Sequence, residues 1–303
     1  MTAITIEPTA RQAFLTGLAI AVAGAILFSA KAIVAKLIYR YPVDAVTLIA
    51  FRMIFSLPFF LAVAIWKARD ATPLTGVERA QIAVLGLLGY YLASFLDFLG
   101  LQHITAGLER LILFLTPSFV LLISFAFMNK KVSRLEWIAL GISYLGAVLV
   151  FIHDARLGGA NVMLGGLLVL GSAVSYAFYL LFSGEMVRKV GAMRLVAYAM
   201  CVSSAACIGQ FLLLRPLSML QQPMAVYGLS LVNAIFCTVL PVFLTMIAVS
   251  RIGASTASQA GMVGPVSTLF LGAVVLGEPI TAIQLAGTAL VLAGIYLLSR
   301  RRA

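Results

Sequence analysis

Five ionisable side chains lie within long apolar stretches of this chain: Lys31, Arg52, Asp97, Glu109 and Arg110. Placing one ion in hydrocarbon costs at least ~2.5–3.5 kcal/mol on insertion scales, so such groups are functional candidates by default. With a rise of about 1.5 Å per residue, Arg52 falls roughly 5 Å from the middle of its segment and Lys31 roughly 8 Å. Asp97, Glu109 and Arg110 fall roughly 8–11 Å from the middles of theirs, and all five lie at one level of the membrane. Fixed charges of both signs suit a zwitterionic solute, because a carboxylate and an ammonium each need a partner in a low-dielectric space. Asp97 and Glu109 are the candidate partners of Lys31, and could alternatively carry a coupling proton. A structural reading stands beside these: Arg52 satisfied by carbonyls or a carboxylate, and Glu109 answering Lys31 or Arg52 from a neighbouring helix. Adjacent residues on a helix point about 100° apart, so Arg110 is expected to face the cavity when Glu109 does not. Lys36, near a helix end, is expected to snorkel.

Uncharged residues extend the pattern. Ser172, Ser175 or Tyr176, Tyr179 and Ser183 recur on one face at helical spacing. Tyr90, Ser94 and Asp97 form a similar stripe, and so do Ser255, Ser258 and Met262. The expected cavity lining is therefore Lys31, Arg52, Tyr90, Ser94, Asp97, Arg110, Tyr176, Tyr179, Ser258 and Met262. Tyr90, Phe98, Tyr176 and Tyr179 suit stacking on a ring. Hydrogen bonding between membrane helices is the competing reading of these serines and tyrosines.

Other chemistries find no support. There is no HExxH, Walker A, nucleophile elbow or paired-carboxylate signature, and His103 and His153 fall in the outer connections. Cys201, Cys207 and Cys237 have no CxxC or ligand spacing. The expectation is no enzyme, no metal and no cofactor.

The elements that must position the charges follow from composition. The chain has 303 residues, 63% hydrophobic and 10% charged, where a soluble protein carries roughly 25% charged residues. A spanning helix needs about 20 mostly apolar residues. Ten segments qualify: 14–38, 44–66, 79–100, 104–127, 133–152, 162–185, 192–214, 224–247, 255–277 and 280–299. The first could mimic a signal peptide, but its leader is weakly basic and many apolar segments follow, so it reads as a spanning helix. Apart from Lys31, Lys36, Arg52 and Arg110, fourteen Lys and Arg fall on one side, at segment ends or in connections, and only Arg40, Arg156 and Arg215 on the other. That bias places both termini in the cytoplasm of a bacterial inner membrane. It also accounts for most of the formal charge of +11, so the lipid bilayer rather than nucleic acid is the expected partner. Monomer is the plain expectation for oligomeric state, which the sequence leaves open.

A repeat organises the segments. Pro117 and Pro265 are separated by an offset of 148 residues, which also maps Gly17 onto Gly165, Ala25 onto Ala173, Ile104 onto Ile252, Ala106 onto Ala254 and Gly146 onto Gly294. The expected organisation is a cytoplasmic tail (1–13), a five-helix half (14–152), an inverted five-helix half (162–299) and a basic cytoplasmic tail (300–303). Inverted repeats are the architecture of secondary transporters, with sites near the midplane where helices are interrupted. Pro117 and Pro265 are the expected helix bends. The charges break this symmetry, since Lys31, Arg52, Asp97, Glu109 and Arg110 map onto Tyr179, Met200, Thr245, Ala257 and Ser258.

Several stretches resemble the EamA branch of the drug/metabolite transporter superfamily. They are "GLAIAVAGAILFSAKAIVAKL" (17–37), "LIAFRMIFSLPFFL" (48–61), the run 104–151 beginning "ITAGLERLILFLTPSF", and "RIGASTASQAGMVGPVSTLFLGAVVLGEPITAIQLAGTALVLAGIYLL" (251–298). The resemblance implies ten helices, two inverted halves, and alternating access that usually exports small metabolites. The helix 2 Arg of the family matches Arg52. Phe28-Ser29 stands where the family usually has Trp-Gly, and Asn129-Lys130 replaces the Gly-Glu that Gly277-Glu278 keeps in the second half. Lys31, Glu109 and Arg110 are not superfamily-wide features. The closest resemblance within the branch is to bacterial aromatic amino-acid exporters. The leading expectation is export of amino acids, aromatic ones first, or of related small metabolites. A carrier of anionic metabolites such as nucleotide sugars or sugar phosphates is the first alternative, and a passive channel or facilitator the second.

Overall fold

The computed structural model describes residues 10–69, 72–128, 131–157 and 161–300, and among them there are helices and connections but no strand. Nine helices are long and apolar enough to cross a membrane. They are α1 (Arg11–Ile38), α2 (Ala45–Ala68), α3 (Gly76–Leu101), α4 (Ala106–Met128), α5 (Arg134–Arg156), α6 (Val162–Val190), α7 (Ala192–Leu214), α8 (Met224–Gly253) and α9 (Thr256–Leu276). A shorter apolar helix, α10 (Ala282–Leu298), follows. Residues 1–9 and 301–303 of the expected tails, and Asn129-Lys130, lie outside the described residues.

The helix starts are written in local chemistry. Asp44 caps α2 by accepting from the Thr47 amide at 2.9 Å, and Thr105 caps α4 by accepting from the Leu108 amide at 3.1 Å. Ser133 and Glu136 form a reciprocal capping pair before α5, as Thr281 and Gln284 do before α10. The 148-residue offset maps the first pair onto the second.

Helix interruptions also recur. A π-helical turn occupies Leu87–Leu92 in α3 and its counterpart Ile235–Val239 in α8, while a third, Gly272–Leu276 at the end of α9, has no counterpart in α4. Helix α4 is interrupted by a turn at Phe114 and Leu115, and α9 by a turn at Gly261 and Met262, in each case just before the proline. Pro117 has no N–H for the Leu113 carbonyl, which instead accepts from Thr116 Oγ1 at 2.6 Å. The Gly261 carbonyl, which Pro265 leaves free, accepts from the Gly264 amide at 2.9 Å. Both prolines therefore sit in the first turn of the helix that resumes.

The main packing pairs are α5 with α10, α1 with α8 and α9, α6 with α3 and α4, and α2 with α7. Every one joins the first five helices to the last five, and exchanging the two sets returns the same pairs. The halves are interlocked, not side by side. Glycine lets the backbones meet: a Cβ on Gly17 would lie 2.5 Å from Ile252, and one on Gly165 would lie 2.8 Å from Ile104. At the crossing of α5 and α10, a Cβ on Gly146 would lie 2.6 Å from the Gly287 carbonyl, and one on Gly294 would lie 2.6 Å from that of Ala139. Each of these contacts has its counterpart under the same offset.

Arg215 Nε donates to Asp44 and ties the end of α7 to the start of α2. Burial tends to raise the Asp44 carboxyl, but the hydrogen bonds from Thr47 and the nearby Arg215 outweigh it and hold it below its ordinary value. A depressed folded-state value contributes stability that is present above the unfolded value, near ~3.9, and is lost as pH falls through the folded one. Asp44→Asn is expected to melt below the parent at neutral pH, with the gap closing as pH drops below the folded value. A gap that persists unchanged at low pH in thermal scans would refute this.

Candidate functional site

The structure brings four helices of the first half to one buried place. Lys31 of α1 donates to Asp97 Oδ2 of α3, and its Nζ is 3.2 Å from Glu109 Oε1 of α4. Two aromatic rings flank the ammonium, Phe28 at 5.5 Å and Phe98 at 5.4 Å to the ring centroids. Arg52 of α2 lies over the Phe98 ring, donates from Nε to Thr238 Oγ1 of α8 at 2.8 Å, and reaches Ser94 Oγ from Nη1 at 3.4 Å. Arg110 of α4 lies over the Phe28 ring, 5.1 Å from its centroid. Fractional exposures of 5% for Lys31, 6% for Arg52, 3% for Asp97, 0% for Glu109 and 7% for Arg110 show that the network is closed off from both sides. Ions so buried need partners close by, since each loses several kcal/mol of hydration.

The surroundings fix this geometry. Tyr39 Oη donates to the Phe98 carbonyl at 2.8 Å, tying the end of α1 to α3. Ser29 Oγ donates to the Gly264 carbonyl of α9 at 3.0 Å. Asn233 of α8 donates to the Lys31 carbonyl at 3.4 Å, and Thr238 Oγ1 donates to the Asn233 carbonyl at 3.0 Å. Glu278, beyond α9, accepts from the Ala106 amide at 3.2 Å.

Not all expected lining residues meet. Lys31, Arg52, Ser94 and Asp97 do, with Arg110 joined through Phe28. Tyr90, Tyr176 and Tyr179 form a separate aromatic cluster between α3 and α6, where Tyr90 Oη donates to Tyr179 Oη at 3.1 Å and ring centroids are 5.0–6.4 Å apart. Ser258 is exposed, and Met262 packs beside the apolar core of α4, α5, α6 and α10. His153 lies in the last turns of α5, because that helix continues beyond its apolar stretch. Thr238, Ser29 and Gly264 join the site without having been singled out; the repeat offers one signal, since it maps Tyr90 onto Thr238.

The model of the EamA-like transporter family matches this chain twice, over residues 15–152 and 163–300. The chain belongs to the EamA-like transporter family. The second match follows the first by 148 residues at both ends, the offset of the repeat, so one family unit accounts for both. An uncharacterized transporter, YcbK of Bacillus subtilis (strain 168), is 30% identical to this EamA-like transporter over 272 residues, covering 87% of this chain and 86% of that one. A relative from Salmonella typhimurium (strain LT2), described as a probable amino-acid metabolite efflux pump, is 26% identical over 236 residues, covering 73% and 78%. A solved crystal structure superposes with a TM-score of 0.65 at 17% identity, covering 95% of this chain and 99% of that one. That likeness establishes the fold. This EamA-like chain is accordingly a multi-pass membrane transporter whose substrate is a small molecule.

Proposed function

We propose that this transporter exports amino acids, aromatic ones first, or related small metabolites across a bacterial inner membrane by alternating access. In this reading ten helices cross the membrane, the halves 14–152 and 162–299 are inverted, and both termini are cytoplasmic. The observation that carries the reading is the buried set of both charge signs, Lys31 with Asp97 and Glu109, flanked by the rings of Phe28 and Phe98. Such a place offers donors to a carboxylate, acceptors to an ammonium and apolar faces to a ring. The described name of the Salmonella relative supports the same class. Rocking of the helix bundles at the interruptions before Pro117 and Pro265 would open the closed network to either side.

A carrier of anionic metabolites is the second reading. It is favoured by the charge count, because Lys31, Arg52 and Arg110 outnumber Asp97 and Glu109.

Proteoliposomes loaded with radiolabelled amino acids, sugar phosphates, nucleotide sugars and cationic drugs test both, with and without a pH gradient. Aromatic amino-acid flux with stimulation by substrate on the opposite side is the expected result. Absence of any amino-acid flux would sink the leading reading, and flux without trans-stimulation would indicate a channel.

A further inference from the structure

Resting on the proposed site for its location, the geometry points to Arg110 as the anchor for one carboxylate of the transported solute. Arg110 is 93% buried by its exposure of 7%, and it forms no hydrogen bond and no ion pair among the described residues. Its Nε is enclosed without an acceptor. The carboxylate beside it in the chain, Glu109, is turned to Lys31 instead. A guanidinium kept out of water without an anion is unfavourable, and it presents a planar fork suited to a carboxylate.

The contacts around it hold the fork ready. The Phe28 ring supports one face at 5.1 Å. Gly264 makes room for the tip, since a Cβ there would lie 2.6 Å from Arg110 Nη2. Ser29 Oγ sits between the Ala25 carbonyl of its own helix, at 2.7 Å, and the Gly264 carbonyl of α9, at 3.0 Å, and its one proton serves either of them. The helix interruptions at Phe114–Leu115 and Gly261–Met262 lie within about one turn of Arg110 and Gly264, beside the fork.

Charge balance sets the class of ligand. One carboxylate brings the network from three cations and two anions to three of each. A dianion such as a phosphomonoester would exceed this balance. An amine lacking a carboxylate would add a fourth cation and leave Arg110 unanswered. An ammonium on the same solute adds a fourth cation, so it is tolerated only where Asp97 Oδ1 and Glu109 Oε2, both buried without a hydrogen-bond partner, accept from it.

The test uses the full-length protein purified in detergent. Binding is measured by calorimetry and by ligand-dependent thermal shift for L-phenylalanine, 3-phenylpropionate, phenethylamine, inorganic phosphate and a series of shorter monocarboxylates. Monocarboxylates are expected to bind, and phenethylamine and phosphate are not. Arg110→Met should weaken carboxylate binding at least about tenfold, the loss expected for a charged hydrogen-bonded partner. The same variant should melt higher than the parent without ligand, which a structural arginine would not do. Gly264→Ala, whose Cβ would lie 2.6 Å from Arg110 Nη2 and 3.3 Å from both Arg110 Nε and Ser29 Oγ, should weaken the acids by displacing the guanidinium, with a smaller change in melting temperature than in acid binding. Binding of phenethylamine as tightly as phenylalanine, acid binding unaffected by Arg110→Met, or no Arg110-dependent binding across the series would each overturn the assignment. If amino-acid flux is absent but monocarboxylates bind through Arg110, the export reading falls and the anchor stands. If amino acids are exported and Arg110→Met leaves that flux unchanged, the anchor alone falls.

Discussion

Lys31→Ala is expected to lose about 3–5 kcal/mol of stability, the cost of removing one partner from a buried ion pair. The ammonium is the one cation in contact with Asp97 and Glu109 among the described residues. Without it two carboxylates face each other at exposures of 3% and 0%. The variant should show a lowered melting temperature and poor recovery of monodisperse protein. Adding Asp97→Asn and Glu109→Gln to Lys31→Ala removes the stranded charges and should restore most of the loss. A Lys31→Ala protein that melts with the parent would show that the carboxylates need no cation there, and would leave Lys31 with a binding role alone. Retained stability in the triple variant together with lost transport would separate the two contributions of this residue.

The second large effect is expected where α5 crosses α10. A methyl group at Gly294 would lie 2.1 Å from Ser143 Oγ and 2.6 Å from the Ala139 carbonyl; one at Gly146 would lie 2.6 Å from the Gly287 carbonyl and 3.0 Å from the Val291 amide. Backbone cannot yield as a side-chain tip does, so the helices must separate. Overpacking of this kind costs about 1–3 kcal/mol, and the close approach of small residues is a main source of helix association in lipid. Gly146→Ala and Gly294→Ala should each lower the melting temperature. Gly141→Ala in the same helix provides the control: nothing lies within 4 Å of its Cβ position, and alanine favours a helix interior over glycine by about 1 kcal/mol. Equal melting temperatures for Gly141→Ala and Gly146→Ala would refute the close-crossing argument.

Much of this fold was legible because a bilayer imposes a simple code. Apolar length located the helices, yet several run past it: α1 begins at Arg11, α5 ends at Arg156 and α6 at Val190. Apolar length measures the crossing of hydrocarbon, whereas the helix continues as long as its backbone bonds can form. The repeat was legible from two prolines and a few small residues, because those residues serve close packing and interruption in both halves. The site was legible by level but not by direction. Depth along a helix brought Lys31, Asp97 and Glu109 to one height, and nothing in one sequence says which helices are neighbours. Ser258 and Met262 show the limit of symmetry: they map onto Arg110 and Phe114, but their neighbours differ. Thr238 was passed over because a lone threonine in an apolar run carries no signal of its own; its meaning comes from Arg52 on another helix.

The paired π-helical turns bear on the history of the chain. Each adds one residue to a helix without adding a loop, and the two fall at Leu87–Leu92 and Ile235–Val239, positions equivalent under the 148-residue offset. Two independent insertions at the same place are less economical than one insertion in a single ancestral five-helix unit that was later duplicated. The extra residue then predates the duplication, and so do the paired capping residues before α5 and α10. Lys31, Asp97, Glu109 and Arg110 have no charged counterparts, so the charge difference between the halves arose after they became separate. The scaffold is the older inheritance, and the buried ions are the later property of one half alone.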